Sequence, residues 1–230
     1  MDSKSYITSY MVSPTKPSIG RNASAAGRNF LQVSTGPIWF LGQMNEPKAL
    51  TDAKALILAS ILIAEAPAPE RAAKLGLYGW LAGSWTTDIV TYGPDGSRHE
   101  GKGEIHAGWV LEGRAIQDVW MIPPRQQRQP DSPILAVSGN WYGTTLRVYD
   151  PTLDAWRIYW IDPATNSFRQ QIGRQRGRDI VQEGRTEGGA LSRWSFTDIA
   201  PDSFRWLGES STDDGVSWQL VVEVMARRAA

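Results

Sequence analysis

From Trp80 to the C-terminus, short stretches of alternating apolar and polar residues recur, each closed by a turn signal. The signals are Gly93-Pro94-Asp95-Gly96, Glu112-Gly113, Asp150–Asp154, Asp162–Asn166, Arg176–Asp179, Ala200-Pro201-Asp202 and Asp213-Asp214-Gly215. Strands joined by such tight turns pair antiparallel, and about ten in succession predict an all-β, up-and-down antiparallel barrel. Ten of the eleven tryptophans fall in this stretch. The pattern therefore predicts an aromatic-lined cup.

Faces follow from the period of two. A three-residue loop at Asp213-Asp214-Gly215 sets Trp206 opposite Val222 and Phe204 opposite Val224, with Gly208, Ser210, Trp218 and Leu220 on the same inner face. Arg205, Glu209, Ser217, Gln219 and Glu223 take the outer face, and Leu207, Val221 and Met225 are left there as an apolar patch. Around Asp150–Asp154 the count puts Tyr142, Thr144, Leu146 and Val148 inside with Trp156, Ile158 and Trp160, and turns Arg147 and Arg157 outward. Continuing through Asp162–Asn166 brings Phe168, Gln170 and Ile172 inside. For the first hairpin, a loop at Pro94-Asp95-Gly96 pairs Trp85 with Ile105 and keeps charge out of the interior. A longer loop would pair Trp85 with Glu104 and bring Lys102 and His106 inward. The first register is preferred, and it places Trp109, Arg114, Ile116, Asp118 and Trp120 on the inner face.

Upstream the pattern changes. Residues 1–43 are rich in Ser, Thr, Gly and Asn, show no period, and are expected to form a disordered leader, with Met44 as the natural start. Residues 44–79 form a helical segment: Lys48–Ala66 repeats apolar residues near 3.6, and Pro69 starts a second helix through Leu75. The face Ala72, Leu75 and Tyr78 is expected to plug or flank one end of the barrel. Residues 80–230 form the barrel domain.

Composition narrows the function classes. Lys plus Arg equals Asp plus Glu, 24 each, so no global field draws nucleic acid or an acidic membrane. No cysteine is present, which removes disulfides and thiolate chemistry. No apolar run reaches a membrane span. The expected compartment is the cytoplasm; the alternative, secretion, would use Ala55–Ala64 as the apolar run of a signal, but Glu46 and Asp52 stand where positive charge belongs.

Gly83-Ser84-Trp85 at the entry to the first strand, after a short helix, resembles the start of a calycin barrel, the superfamily of lipocalins and fatty-acid-binding proteins. The stretch Gly143–Asp162, with Tyr149-Asp150 and Trp160-Ile161-Asp162, is similar to bacterial calycin-like proteins of uncharacterised function. The resemblance implies that Trp85 packs under a basic residue of the last strand, Arg228 or its competitor Arg227, and seals the closed end. It also implies a small hydrophobic ligand. Related haem-binding barrels ligate iron through a late histidine, and this chain has none after His106. No cofactor is expected.

Candidate chemistry is sparse. His99 and His106 point to opposite faces of one strand and hold no metal together. Trp109, Trp120, Tyr142, Trp156, Trp160, Phe168, Gln170, Trp206 and Trp218 are the candidate ligand-binding residues of a barrel too wide for side chains to fill. Asp118 among aromatics is the catalytic candidate, with Arg114 as its ion-pair partner or as an electrostatic stabiliser. The cluster Arg169, Arg174, Arg176 and Arg178 reads as a solvated hairpin tip, and Pro123–Pro133 as a lid or surface loop. No nucleophile elbow, phosphate loop or dinucleotide fingerprint occurs. The expected function is binding of a small hydrophobic or aromatic molecule. The alternatives are a cofactor-independent lyase, isomerase or cyclase, and a structural module with a filled barrel and a homodimer contact through Leu207, Val221 and Met225.

Overall fold

The computed structural model describes residue 59 and residues 62–127, 140–163 and 165–229. The expected leader, most of the Lys48–Ala66 helix and most of the Pro123–Pro133 loop lie outside the described residues. A single 3-10 turn, Pro69–Arg71, leads into helix α1 (Ala72–Gly79). Ten strands follow: β1 (Gly83–Tyr92), β2 (Arg98–Val110), β3 (Ala115–Ile122), β4 (Trp141–Asp150), β5 (Ala155–Asp162), β6 (Ser167–Arg176), β7 (Asp179–Arg185), β8 (Leu191–Thr197), β9 (Ser203–Ser211) and β10 (Gln219–Arg228). Each pairs antiparallel with its neighbours in sequence, and β1 pairs with β10 to close the barrel. Closure leaves no unpaired strand edge. This is the all-β up-and-down barrel that the turn spacing predicts, and its order and closure fit a calycin-like barrel. No helix among the described residues is long and apolar enough to cross a membrane.

One end is plugged. Helix α1 turns Leu75 and Tyr78 into the barrel, both fully buried, while Ala72 stays exposed. The Tyr78 ring meets Trp156 edge-on at 4.8 Å and Phe196 at 6.2 Å. Trp80, Trp85 and Phe204 extend this aromatic layer, with centroids 4.9–6.2 Å apart. Edge-to-face contacts of this kind add to the burial of large rings. Arg228 lies across the bottom of the layer, its guanidinium carbon 4.1 Å from the Trp85 ring centre. It donates to the carbonyls of Pro201, Ala82 and Trp80 at 2.9–3.0 Å. Gly83 next to it has φ +125°, and an added methyl there would stand 2.6 Å from the guanidinium. Glycine is required by backbone and space alike.

The first hairpin takes the preferred register, Trp85 opposite Ile105, so Glu104, Lys102 and His106 face outward. Ile116, Asp118 and Trp120 are buried inside as expected. Arg114 is not with them. It sits in the β2–β3 turn, partly exposed, and pairs with Glu70 and Glu112.

The faces of β4 and β6 are the reverse of the sequence expectation. Asp150 pairs with Ala155 and Asp162 with Ser167, so each turn holds four residues, ending in left-handed Asp154 (φ 43°) or Asn166 (φ 51°). An even loop inverts the parity that an odd loop would give. Gly143, Thr145, Arg147 and Tyr149 therefore point in, as do Arg169, Gln171 and Gly173. Tyr142, Leu146, Phe168 and Gln170 point out; Tyr142 is 40% and Phe168 51% exposed. Arg147, expected outside, is fully buried.

The last hairpin keeps Phe204, Trp206, Gly208, Val222 and Val224 inside, although Trp206 faces Val224 rather than Val222. A bulge between Leu220 and Val222 and a longer tip account for the shift. Leu220 stands opposite Glu209, and Val221 turns to the cavity rim. Trp218 lies outside the barrel, under the guanidinium of Arg193 at 3.6 Å. Leu207 is half-buried and Met225 39% exposed.

The tip is organised by Asp213. Its carboxylate accepts from the Ser217 N–H (2.9 Å), the Ser217 hydroxyl (2.6 Å) and the Ser211 hydroxyl (2.7 Å). These bonds, the Ser217 hydroxyl first, hold the Asp213 carboxyl far below its ordinary 3.8. A carboxyl with a depressed folded-state pKa stabilises above its unfolded value and loses that contribution as pH falls. Asp213→Asn is expected to lower the melting temperature at pH 6, with the gap to wild type narrowing steadily below pH 3.8. Thermal melts across pH 2–6 check this, and a gap independent of pH would contradict it.

Candidate functional site

Above the aromatic plug lies a cavity of about 540 Å³. Its lining includes Thr91 at the end of β1, Trp141 at the start of β4, Asp162 at the end of β5, Ser192 at the start of β8 and Ser210 near the end of β9. In an up-and-down barrel these strand ends share one rim, opposite α1. The cavity thus opens at the unplugged end.

Among the described residues five tryptophans form its wall: Trp120, Trp141, Trp160, Trp194 and Trp206. Trp120, Trp194 and Trp206 make a chain of tilted rings at 5.3 and 5.6 Å, and Trp160 meets Trp194 edge-on at 6.0 Å. The Trp160 ring lies against Gly143, where an added methyl would stand 2.4 Å from it. Glycine there lets the indole lie flat on β4.

The sequence candidates divide. Trp120, Trp160 and Trp206 line the cavity. Trp156 is buried in the plug against Tyr78 and Tyr149, and Trp109 packs on α1 at Gly79. Tyr142, Phe168, Gln170 and Trp218 are on the outer face, the first three because of the four-residue turns. Trp141, Trp194, Arg147, Asp162 and Arg169 were not identified as site residues from sequence. The alternation Ser192, Trp194, Phe196 on β8 carried the signal for Trp194. Arg169, expected at a solvated tip, instead faces the cavity. His106 bonds Ser84 outside the barrel (2.8 Å), and among the described residues no cluster is placed to hold a metal ion.

Asp118 and Arg147 form a buried ion pair in the interior. Asp118 pairs with Arg147 rather than Arg114: Arg147 Nη1 donates to Asp118 Oδ2, and the Thr145 N–H donates to Oδ1 at 3.1 Å. The pair bridges neighbouring strands, Ile116 standing opposite Arg147 and Thr145 opposite Asp118. The Arg147 guanidinium also lies 5.3 Å from the Tyr78 ring centre and 5.6 Å from Phe196. Carboxylate and aromatic faces together compensate a charge removed from water. Burial pushes the Tyr78 phenol well above its ordinary value.

No family model matches the chain, and no curated protein matches it. Among solved structures it is similar to Rv2717c from M. tuberculosis, at 15% identity and TM-score 0.47, over 71% of this chain and 99% of that one. It is similar to the S-type phycobiliprotein lyase CPES from Guillardia theta, at 12% identity and TM-score 0.45, over 71% and 99%. A barrel named EF1p2_mFAP2b, bound to DFHBI, matches at 14% identity and TM-score 0.33, over 70% and 100%. These likenesses concern the shape of the barrel, and the functional reading rests on the cavity.

Proposed function

We propose that the barrel binds a small hydrophobic or aromatic molecule in its tryptophan-walled cavity. The observation that carries this reading is five indoles around about 540 Å³ of open interior above a sealed floor. That volume lies within the usual range of small-molecule sites, about 300–1,000 Å³. Flat apolar surfaces reward burial at roughly 25 cal/mol per Å². The open interior favours this reading over a structural module with a filled barrel. Acid–base chemistry by Asp118 with Arg114 is not supported, because Arg114 is at the surface and both Asp118 oxygens are engaged.

Titration with N-phenyl-1-naphthylamine, a neutral flat probe, tests the reading through tryptophan quenching. Saturable quenching with a dissociation constant of about 1–50 μM is expected, a modest affinity for a ligand of this size. Ser210→Trp, which places a ring in the cavity wall, should weaken it by about tenfold. Absence of saturable quenching, or quenching indifferent to Ser210→Trp, would overturn the proposal.

A further inference from the structure

Inward side chains on four adjacent strands form one row: Asp118 on β3, Thr145 on β4, Trp160 on β5 and Arg169 on β6. The row ends on a cation beside a cavity tryptophan. Among the described residues four charged side chains line the cavity, Arg147, Asp162, Arg169 and Glu209, and three of them are matched. Arg147 is neutralised by Asp118. Glu209 faces Arg193 at 3.6 Å. Asp162 accepts the backbone N–H groups of Tyr142 (3.4 Å) and Thr165 (3.3 Å).

Arg169 differs. Its half-buried guanidinium has no hydrogen bond or ion pair with any described residue, and Glu187 acts on it only by longer-range attraction. Partial burial lowers its pKa, the sign of a cation short of solvation. Buried charge is normally paired, because the desolvation cost is otherwise uncompensated. A guanidinium fork facing an aromatic cavity fits a planar anion, and such pairs are strong when water is excluded.

We infer that Arg169 is an anion-binding group and that the ligand is a flat aromatic monoanion, its carboxylate or sulfonate on Arg169 and its rings among the tryptophans. The inference rests on the binding reading above and narrows it. A second anion at Arg147 is disfavoured, because Asp118 already holds that charge. The anionic end therefore lies at Arg169.

The test compares N-phenyl-1-naphthylamine with 8-anilino-1-naphthalenesulfonate, which carries the same rings plus a sulfonate. Wild-type protein should bind the sulfonate about tenfold more tightly than the neutral probe. Arg169→Gln should bring the ratio to about one, and Arg169→Lys should keep part of the preference. The unliganded Arg169→Gln protein should melt at or above the wild-type temperature, since an unpaired charge is removed. Equal binding of both probes by wild type, or a preference that survives Arg169→Gln, would overturn the anion assignment and leave the binding reading standing. A fall in melting temperature for Arg169→Gln would assign Arg169 a structural role and overturn it too. Failure of both probes to bind would sink both readings.

Discussion

Replacing Asp118 by alanine is expected to cost about 3–5 kcal/mol of folding stability. The substitution leaves Arg147, fully buried, with no carboxylate and only the faces of Tyr78 and Phe196 for company. It also strips the Thr145 N–H of its acceptor. A loss of that size corresponds to about 10 °C in melting temperature for a domain of this length. The companion variant makes the result diagnostic. Asp118→Leu combined with Arg147→Met removes both charges, and should recover much of the loss, because an apolar pair of similar volume often matches a buried ion pair. Urea unfolding of the two single variants and the double variant measures the coupling. If Asp118→Ala alone unfolds within about 1 kcal/mol of wild type, the pair is not what holds β3 to β4.

Arg228→Ala should have the next largest effect, about 2–4 kcal/mol, acting at the opposite end of the chain. Arg228 ties the last strand to the carbonyls of Pro201, Ala82 and Trp80, and so joins the β8–β9 turn to the segment between α1 and β1. Its plane also covers Trp85, whose indole N–H is spent on Leu81 (2.8 Å). Removing it opens the floor of the barrel to water under the aromatic plug. Arg228→Lys should recover less than half of the loss, since a single ammonium cannot reach three carbonyls in a plane and stack on indole at once. Equilibrium unfolding of both variants checks this, with the intrinsic fluorescence change reporting the wetting of Trp85. Full rescue by lysine would reduce the role of Arg228 to charge alone.

Much of this was legible in the chain. The turn signals give ten antiparallel strands because each sits at a spacing that only a short connection can close, and a meander of that length has nowhere to go but around. The faces of β1, β2, β3 and β5, and most of β9 and β10, follow from the alternation itself. On β2, β9 and β10 the wrong register would have buried two or more charges. The inward direction of Trp120, Trp160 and Trp206 therefore follows from alternation alone.

What the tertiary structure alone decided is the sense of β4 and β6. On β4 the alternation favours Tyr142, Leu146 and Val148 as the inner set, and taken one strand at a time that choice is the apolar one. It loses because Asp154 and Asn166 adopt left-handed backbone and make each turn four residues long, which rotates both strands relative to β5. Arg147 then enters the interior, where the carboxylate 29 residues earlier in the chain receives it. A pattern within one strand records only whether a side chain is polar; whether a partner waits across the barrel is a property of two strands at once. Local periodicity thus determined the cylinder and the inward turn of Trp120, Trp160 and Trp206, whereas long-range charge pairing and the backbone of two turn residues determined that Trp141 and two arginines look into it.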